Sequence, residues 1–371
     1  MQTGKVPENV LKRSVLRQAR VKSGEGLNGA GIGNDCAVFP FDGEGNLVSC
    51  MQEAVILPGK LAGGAAGDGA FEGVEAAIHP EGRSKCGSET AAAQNTEAFM
   101  TMAELIQKCA NNLAAGGARP TAVMITLLLP EDTEEPLLRE LMSDAAEKCR
   151  ELDVEIAGGQ SRITGAAASP LAVVTGFGRQ YKNICNNKNG LSGKAVPEQD
   201  IVLSKWIGLQ GTAVLARRCR KKLLGRYPAY LVEEAAGFDR YLSVLPEAEI
   251  AVKNGVCAMH DVSEGGILGA LWEFAEGAGV GLTVEMRSLP LRQETVEVCE
   301  CCNVNPYELM SGGCLIMACR DGLGLAAALE AEGISAAVVG KVTDSKDRIL
   351  VNGDEVRYMN RPERDGIYVH G

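Results

Sequence analysis

Residues 259–282 read MHDVSEGGILGALWEFAEGAGVGL. The opening residues predict a buried strand that stops at His260 and Asp261. A helical spacing of apolar side chains begins at the Gly-Gly pair, and Gly277 and Gly279 are typical of its end. The apolar stripe of this helix comprises Ile267, Leu268, Leu271, Trp272 and Ala275. A second strand, GLTVEM, follows, so the stretch predicts strand, helix and strand in succession, which is typical of α/β layers.

The same alternation extends in both directions and predicts two domains. In the N-terminal half, helices are expected over 97–113 and 133–152, with a strand over 121–129 between them. The polar, turn-rich stretch 181–199 is the best boundary between domains. The predicted organisation is an N-terminal α+β domain over 1–180, a linker over 181–199, a C-terminal α/β domain over 200–345 and a tail over 346–371.

Residues 59–95 fit neither half of this pattern. They are rich in glycine and alanine and show no strand or helix period. Connections of this length inside a compact domain are uncommon and are usually lids or flexible insertions. We therefore expect an insertion or lid at 59–95.

Composition excludes several classes of protein. The chain has 371 residues and a formal net charge of −11, which disfavours a nucleic-acid partner because the protein would repel phosphate backbones. No stretch of about 18 uninterrupted apolar residues and no signal-peptide pattern occurs. We therefore expect a cytoplasmic protein that does not span a membrane.

Four glycine-rich turns stand at predicted junctions between strands and helices. They are GAGIGNDCAVFPF (29–41), SKWIGLQGTAVLA (204–216), MHDVSEGG (259–266) and NPYELMSGGCLIMAC (305–319). Glycine lets the backbone turn and present N–H groups, and helix N-termini attract anions. Any one of these turns could be a plain turn, so the prediction of a binding site rests on the set.

The third of these turns also carries ionisable side chains. His260, Asp261 and Glu264 crowd the end of the predicted strand, and Lys205 lies at the equivalent place in the second turn. These four are the candidate catalytic residues, because a histidine beside carboxylates can move protons. The alternative is structural, with Asp261 or Ser263 capping the helix and Glu264 in its first turn.

Taken in order, six motifs resemble those of the aminoimidazole ribonucleotide (AIR) synthase superfamily. They are GIGNDCAV, ANNLAAGGARP, AGGQSRIT, DIVLSKWIGLQGTAVLA, MHDVSEGGILGALWEFAEGAGVGL and NPYELMSGGCLIMA. Within the superfamily they are similar to the hydrogenase-maturation (HypE-type), AIR-synthase-related (PurM-like) branch. The resemblance implies a homodimer whose N-terminal sheets pair, an ATP site in the cleft between them, and ATP-dependent phosphorylation or adenylation of an amide or related oxygen. It also implies Mg²⁺ held by several aspartates.

The resemblance assigns residues to these roles. The implied nucleotide-binding residues are Gly31, Gly33, Asn34, Asp35, Asn112, Gly158, Gly159, Gln160, Ser161, Gly265 and Gly266. The implied metal ligands that remain are Asp35 and Glu53. Where the family carries further acids, this chain has amides at Gln52, Asn112 and Gln160.

These amides are expected to weaken a metal site. An amide keeps the shape and hydrogen bonds of a carboxylate but brings no charge, and Mg²⁺ prefers anionic oxygen ligands. The sequence also ends DGIYVHG, whereas the HypE-type protein ends in a cysteine that accepts a carbamoyl group. We therefore expect a protein that is not a true hydrogenase-maturation factor.

Three hypotheses follow. The first is an ATP-using enzyme that activates a small amide or carbonyl oxygen at a reduced metal site. The second is a dimeric pseudoenzyme that binds a nucleotide or another small molecule, or acts through a partner enzyme. The third is metal-independent chemistry that uses the 59–95 insertion, with Cys86 or His79.

Overall fold

A computed structural model describes residues 10, 12–13, 36–41, 45–56, 100–181, 194–256, 258–361 and 365–368. By its internal contacts the chain divides into two units. The first unit comprises 1–50, 110–120 and 177–369, and the second comprises 51–109, 121–176 and 370–371. The predicted insertion at 59–95 lies outside the described residues, and the predicted domain boundaries stay a prediction.

Five strands form the N-terminal sheet in the order β1-β2-β5-β3-β4. Their bounds are β1 Ala37–Phe41, β2 Gly45–Val55, β3 Ala118–Leu129, β4 Glu155–Ile163 and β5 Leu171–Gln180. Buried and more exposed side chains alternate along β3 and β5, so these strands have one face in the core. The apolar run at 121–129 predicts a buried strand, but in the structure only one face of β3 is packed.

Strand β4 lies parallel to β3 at the edge of the sheet, and helix α2, Glu135–Glu151, connects the two. The sequence pattern predicts a short strand at VEIA (154–157) and a loop at GGQSRITG (158–165). In the structure β4 instead continues through Ile163. Gly159 makes this possible, because a Cβ there would lie 1.8 Å from the carbonyl oxygen of Ile125. The glycines that suggested a loop instead permit close approach of two strands.

Helix α1, Met102–Ala115, confirms the predicted helix before β3. Its apolar stripe is fully buried, as expected from the spacing; it comprises Met102, Leu105, Ile106, Cys109 and Leu113. Asn111 and Asn112 lie inside this helix, within the predicted range 97–113. The apolar residues after them extend the helix, and Gly117, with φ of +78°, provides the left-handed end.

Seven strands form the second sheet in the order β12-β11-β8-β10-β6-β9-β7. Their bounds are β6 Asp200–Ser204, β7 Ala258–Asp261, β8 Gly281–Glu285, β9 Leu315–Cys319, β10 Ala336–Thr343, β11 Arg348–Asn352 and β12 Glu355–Tyr358. Only β8 and β11 pair in parallel among these neighbours. The residues predicted as a tail after 345 thus begin with two strands of this sheet.

Helices cover both faces of the second sheet. Their bounds are α3 Leu209–Arg218, α4 Arg220–Leu224, α5 Ala229–Ala236, α6 Leu245–Lys253, α7 Gly266–Ala278, α8 Gln293–Cys302 and α9 Gly322–Ala331. Two apolar clusters result. Ala258 and Phe274 belong to one, and Met259 and Val244 belong to the other. Across the described part of the chain, no helix combines the length and apolarity that crossing a membrane requires.

Candidate functional site

Three of the four predicted glycine turns meet in the first unit. The amide of Gly208, from the second turn, donates to Ser311 Oγ at 2.7 Å. The amide of Ser311 donates to the carbonyl oxygen of Ser263, in the third turn, at 3.3 Å. The fourth turn, at 305–319, therefore lies between the other two. Most of the first turn, including Gly31, Gly33, Asn34 and Asp35, lies outside the described residues.

The turn before α7 depends on glycine. Gly265 and Gly266 have φ of +85° and +61°, in the left-handed region. A Cβ on Gly266 would lie 2.6 Å from the carbonyl oxygen of Tyr307 and 2.8 Å from that of Leu309. The backbone of the 305–319 turn therefore passes directly over the start of α7.

A carboxylate that sequence reasoning missed occupies this junction. Asp365 is 3% exposed, and its Oδ2 accepts a hydrogen bond from the amide of Gly265 at 2.6 Å. Its Oδ1 accepts from the amides of Met310 at 3.1 Å and Ile367 at 2.8 Å. Burial raises the pKa of Asp365 to about 6, the three amides oppose that rise, and nearby Glu264 adds to it. No pattern in the sequence marks this aspartate.

His260 does not share a pocket with Asp261. Successive strand residues point to opposite faces, and the neighbours of these two side chains agree with that rule. His260 Nε2 lies 3.7 Å from Glu273 Oε2, and its ring lies 6.4 Å from that of Phe274 on α7. Glu273 in turn pairs with Arg361 at 3.4 Å. The carboxylate beside the histidine is therefore Glu273, which the sequence analysis did not select.

Asp261 lies on the other face, among different ionisable groups. Burial is the largest cause of the raised pKa of the Cys314 thiol. The ammonium of Lys205 lowers this pKa, and the negative charges of Asp261 and Glu247 raise it further. The Cys314 thiol donates to the carbonyl oxygen of Trp206 at 2.5 Å. A buried thiol with a raised pKa stays protonated and unreactive. This group of charges is therefore not a nucleophile site built on Cys314.

Lys205 is held by structural contacts. Its Nζ donates to the carbonyl oxygens of Tyr241 at 2.9 Å and Ser243 at 2.5 Å, and pairs with Glu247 Oε1 at 2.5 Å. The side chains of Lys205 and Glu247 are 10% and 1% exposed. Because three acceptors already surround the ammonium, this geometry favours a structural role. A catalytic role of Lys205 stays a prediction that no contact here supports.

Asn111 holds the same segment, residues 241–244, from another side. Its Nδ2 donates to the carbonyl oxygen of Leu242 at 2.7 Å, and its Oδ1 accepts from the amide of Val244 at 3.1 Å. The amide group of Asn111, which is 2% exposed, thus pairs with both backbone groups. A carboxylate could not do this, since it has no proton to donate.

Asn112 differs from its neighbour. It is 7% exposed, and among the described residues its carboxamide makes no hydrogen bond. Its backbone carbonyl accepts from Cys36 Sγ at 3.1 Å and from the amide of Gly116 at 2.8 Å. A polar side chain without a partner among the described residues is a candidate for binding a ligand. The role of Asn112 in a nucleotide site stays a prediction.

The remaining predicted residues lie in the second unit. Glu53, on β2, is exposed, as are Gly158, Gly159, Gln160 and Ser161 on β4. Two strands, β5 and β3, separate β2 from β4 in the sheet. This places Glu53 and Gln160 about 14 Å apart across the strands, whereas ligands of one Mg²⁺ each lie about 2 Å from the ion.

The described residues therefore do not fit a carboxylate-held Mg²⁺ site. Within the described ranges, no three His, Cys, Asp or Glu side chains are placed to hold a metal ion. Asp35, the other predicted ligand, lies outside those ranges. The buried carboxamide of Asn112 is the observation that fits a bound polar ligand.

Comparison with known proteins gives family matches in both halves of the chain. Residues 84–180 match the model of the AIR synthase related protein, N-terminal domain, and residues 196–352 match that of the C-terminal domain. Carbamoyl dehydratase HypE of Rhodobacter capsulatus is 31% identical over 235 residues, which are 62% of this chain and 66% of that protein. The chain therefore aligns with about two thirds of the length of that relative.

Solved structures show the same fold at lower identity. A hydrogenase maturation protein HypE in complex with ATP gives a TM-score of 0.63 at 17% identity, covering 99% of this chain and 97% of that one. A HypE–HypF complex gives a TM-score of 0.61 at 18% identity, covering 89% and 94%. The two-domain arrangement with mixed sheets and helices that the sequence predicted is confirmed by these matches.

Proposed function

Since this chain belongs to the AIR synthase related protein family, whose two domain models it matches, we propose that it binds ATP and uses it to activate an amide or carbonyl oxygen of a small molecule. The observation that carries the proposal is the family match in both halves of the chain. The likeness in fold to a HypE structure that contains ATP adds support. The alternative is a dimeric binding protein that acts through a partner enzyme.

The proposed reaction consumes ATP in one of two balanced ways. In phosphorylation the substrate oxygen forms a bond to the γ-phosphorus and the bond to ADP breaks. In adenylation it forms a bond to the α-phosphorus and pyrophosphate leaves. Either way the oxygen becomes a leaving group, and catalysis depends on positioning and on stabilising negative charge. Backbone amides and the Asn112 carboxamide are the donors that this chain offers to such charge.

The homodimer belongs to the same proposal. Strand β4 lies at the edge of its sheet, and eight of its nine residues, all except Ile156, are exposed. Exposed edge strands are natural sites of pairing with another chain. Exposed Met124 and Ile163, at 44% and 50%, add apolar area nearby. We propose that a second copy of this chain covers this edge.

Isothermal calorimetry of ATP with the purified protein, with and without Mg²⁺, tests the proposal. We expect ATP to bind, and Mg²⁺ to change its Kd by less than about tenfold, because amides replace acids at Gln52, Asn112 and Gln160. Absence of binding in both conditions would contradict the ATP proposal. Strong dependence on Mg²⁺ would instead show that our interpretation of the amides is wrong. Incubation with ATP and small amides then distinguishes the two proposals, because an enzyme releases ADP or AMP and a binding protein does not.

The Asn112→Asp variant tests the amide interpretation directly. A carboxylate at this buried position, with no donor among the described residues, should lower the free energy of unfolding by about 2–3 kcal/mol without metal. If the position belongs to a neutralised cation site, Mg²⁺ should restore most of this loss and make ATP binding metal-dependent. Thermal unfolding with and without Mg²⁺ measures the effect.

The matched control is Asn111→Asp, one residue earlier in the same helix. Its carboxylate would face the carbonyl oxygen of Leu242, so Mg²⁺ should give no recovery. Equal recovery in both variants would indicate a nonspecific effect of the ion. No recovery at Asn112→Asp would remove this residue from the proposed site.

A further inference from the structure

The C-terminal segment 365–368 closes the turn that begins α7. Besides the three hydrogen bonds to Asp365, the amide of Gly366 donates to the carbonyl oxygen of Glu308 at 3.1 Å. The hydroxyl of Tyr368 donates to Glu264 Oε1 at 3.3 Å. Ile367 is fully buried. The segment is therefore packed and hydrogen-bonded to both the 259–266 and the 305–319 turns.

The position of the carboxylate suggests what the segment does. The amide of Gly265 has no acceptor within its own helix and lies at the start of that helix, where the peptide dipoles favour an anion. Asp365 supplies that anion from within the chain, 100 residues away in sequence. An external anion could use the amides of Gly265 and Met310 only after this carboxylate leaves them.

We propose that residues 365–368 form an internal latch, in which the Asp365 carboxylate occupies the amides of Gly265 and Met310 and keeps them from an external anionic ligand. The identity of that ligand as the phosphate groups of ATP rests on the proposed function. The contact between Asp365 and the two amides does not depend on the proposed function.

The charges around the latch set its response to pH. Glu264 faces it from the turn before α7, and Arg218 faces it from the end of α3, where its Nη1 donates to the carbonyl oxygen of Ile367 at 3.4 Å. The 305–319 turn contributes the backbone carbonyl of Glu308. Tyr368 is the other titratable group of the segment. The nearby negative charge of Glu264 and the burial of Asp365 both disfavour its ionised form.

The sign of the response follows from linkage. The pKa of Asp365 rises from 3.8 when free to about 6 when docked, so the docked segment binds a proton more tightly. Docking is therefore strongest below pH 3.8 and weakens as pH rises through 6, above which it is constant. Between pH 7.5 and pH 5 the docking equilibrium should shift about tenfold towards the closed latch.

Amide hydrogen exchange of the full chain measures the latch without any ligand. After division by intrinsic exchange rates, protection at Gly265, Met310 and Ile367 should be about tenfold greater at pH 5 than at pH 7.5. In Asp365→Ala, protection at these amides and its pH dependence should both be lost. In Asp365→Asn one oxygen still accepts, but the amide nitrogen cannot accept from Gly265, so protection should be partial and independent of pH.

Asp321→Ala is the matched control. The Asp321 carboxylate accepts from the amide of Gly324 at 2.9 Å at the start of α9, so its loss should affect exchange at Gly324 alone. Unchanged protection at Gly265 and Met310 in Asp365→Ala would overturn the latch. Equal protection of the native chain at both pH values would overturn the expected pH response of the latch.

Calorimetry with ATP tests what the latch excludes. If it is closed in about nine molecules of ten, Asp365→Ala should bind ATP about tenfold more tightly than the native chain, and Asp321→Ala should bind unchanged. Equal affinity of Asp365→Ala and the native chain would overturn exclusion of ATP. If neither protein binds ATP, the proposed function fails, while hydrogen exchange still decides the latch.

Discussion

Gly266→Ala is expected to destabilise the protein by more than about 4 kcal/mol, or to prevent its folding. The left-handed φ of +61° alone costs an alanine about 1–2 kcal/mol. The new Cβ would also overlap three backbone atoms of residues 307–309, at 2.6 to 2.8 Å. These atoms belong to the main chain and cannot rotate away as a side-chain tip can. The free energy of unfolding by urea measures the loss.

Gly279→Ala, at the other end of the same helix, is the control. Its φ of +73° is equally left-handed, but a Cβ there has no atom within 4 Å. We expect a loss of only about 1–2 kcal/mol. Similar losses in both variants would mean that the 305–319 turn does not press on Gly266 as the structure shows.

Asn111→Asp is expected to cost about 3–5 kcal/mol at pH 7.5, because it leaves an uncompensated charge in the interior. The amide nitrogen that donates to Leu242 becomes an oxygen that faces another oxygen. Only the bond from the amide of Val244 could remain. Denaturant unfolding at several pH values gives the size and the pH dependence of the loss.

The loss in Asn111→Asp should shrink as pH falls. A protonated carboxyl can donate to the carbonyl oxygen of Leu242 while its other oxygen accepts from Val244, which reproduces both native bonds. The folded state of this variant therefore binds a proton more tightly, and its stability decreases as pH rises. Asn111→Ala has no titratable group at this position, so its loss in the free energy of unfolding should not shrink as pH falls. Parallel pH profiles for the two variants would contradict the paired contact.

Local patterns predicted the elements, while contacts between distant residues decided the details. The apolar stripe of α1 was readable because helical spacing places five such side chains on one face. The helix ends at Ala115, two residues beyond the predicted end at 113, because Ala114 and Ala115 continue it up to the glycine pair. The strand predicted at the position of β4 was too short, because the sequence cannot show that Gly159 lies against Ile125.

The candidate site was predicted in outline only. The set of motifs suggested that the glycine turns form one site. Three of them do lie together, because each begins or ends an element of the same unit. The partners of the ionisable residues were not predictable from adjacency. His260 found Glu273, thirteen positions away, rather than Asp261, since neighbours on a strand face opposite ways. The role of Asp365 could not be predicted from the sequence, because its carboxylate accepts hydrogen bonds from backbone amides, which occur in every sequence.

The bond between Asn111 and Leu242 also bears on how the chain is made. The two residues are 131 positions apart, and synthesis proceeds from the N-terminus at about 5–20 residues per second. On a ribosome, the polar end of α1 therefore emerges roughly 7–26 s before its partners. Contacts of such long sequence separation also slow folding in general. The first unit, which includes residues 110–120 and 177–369, is thus completed only late in synthesis.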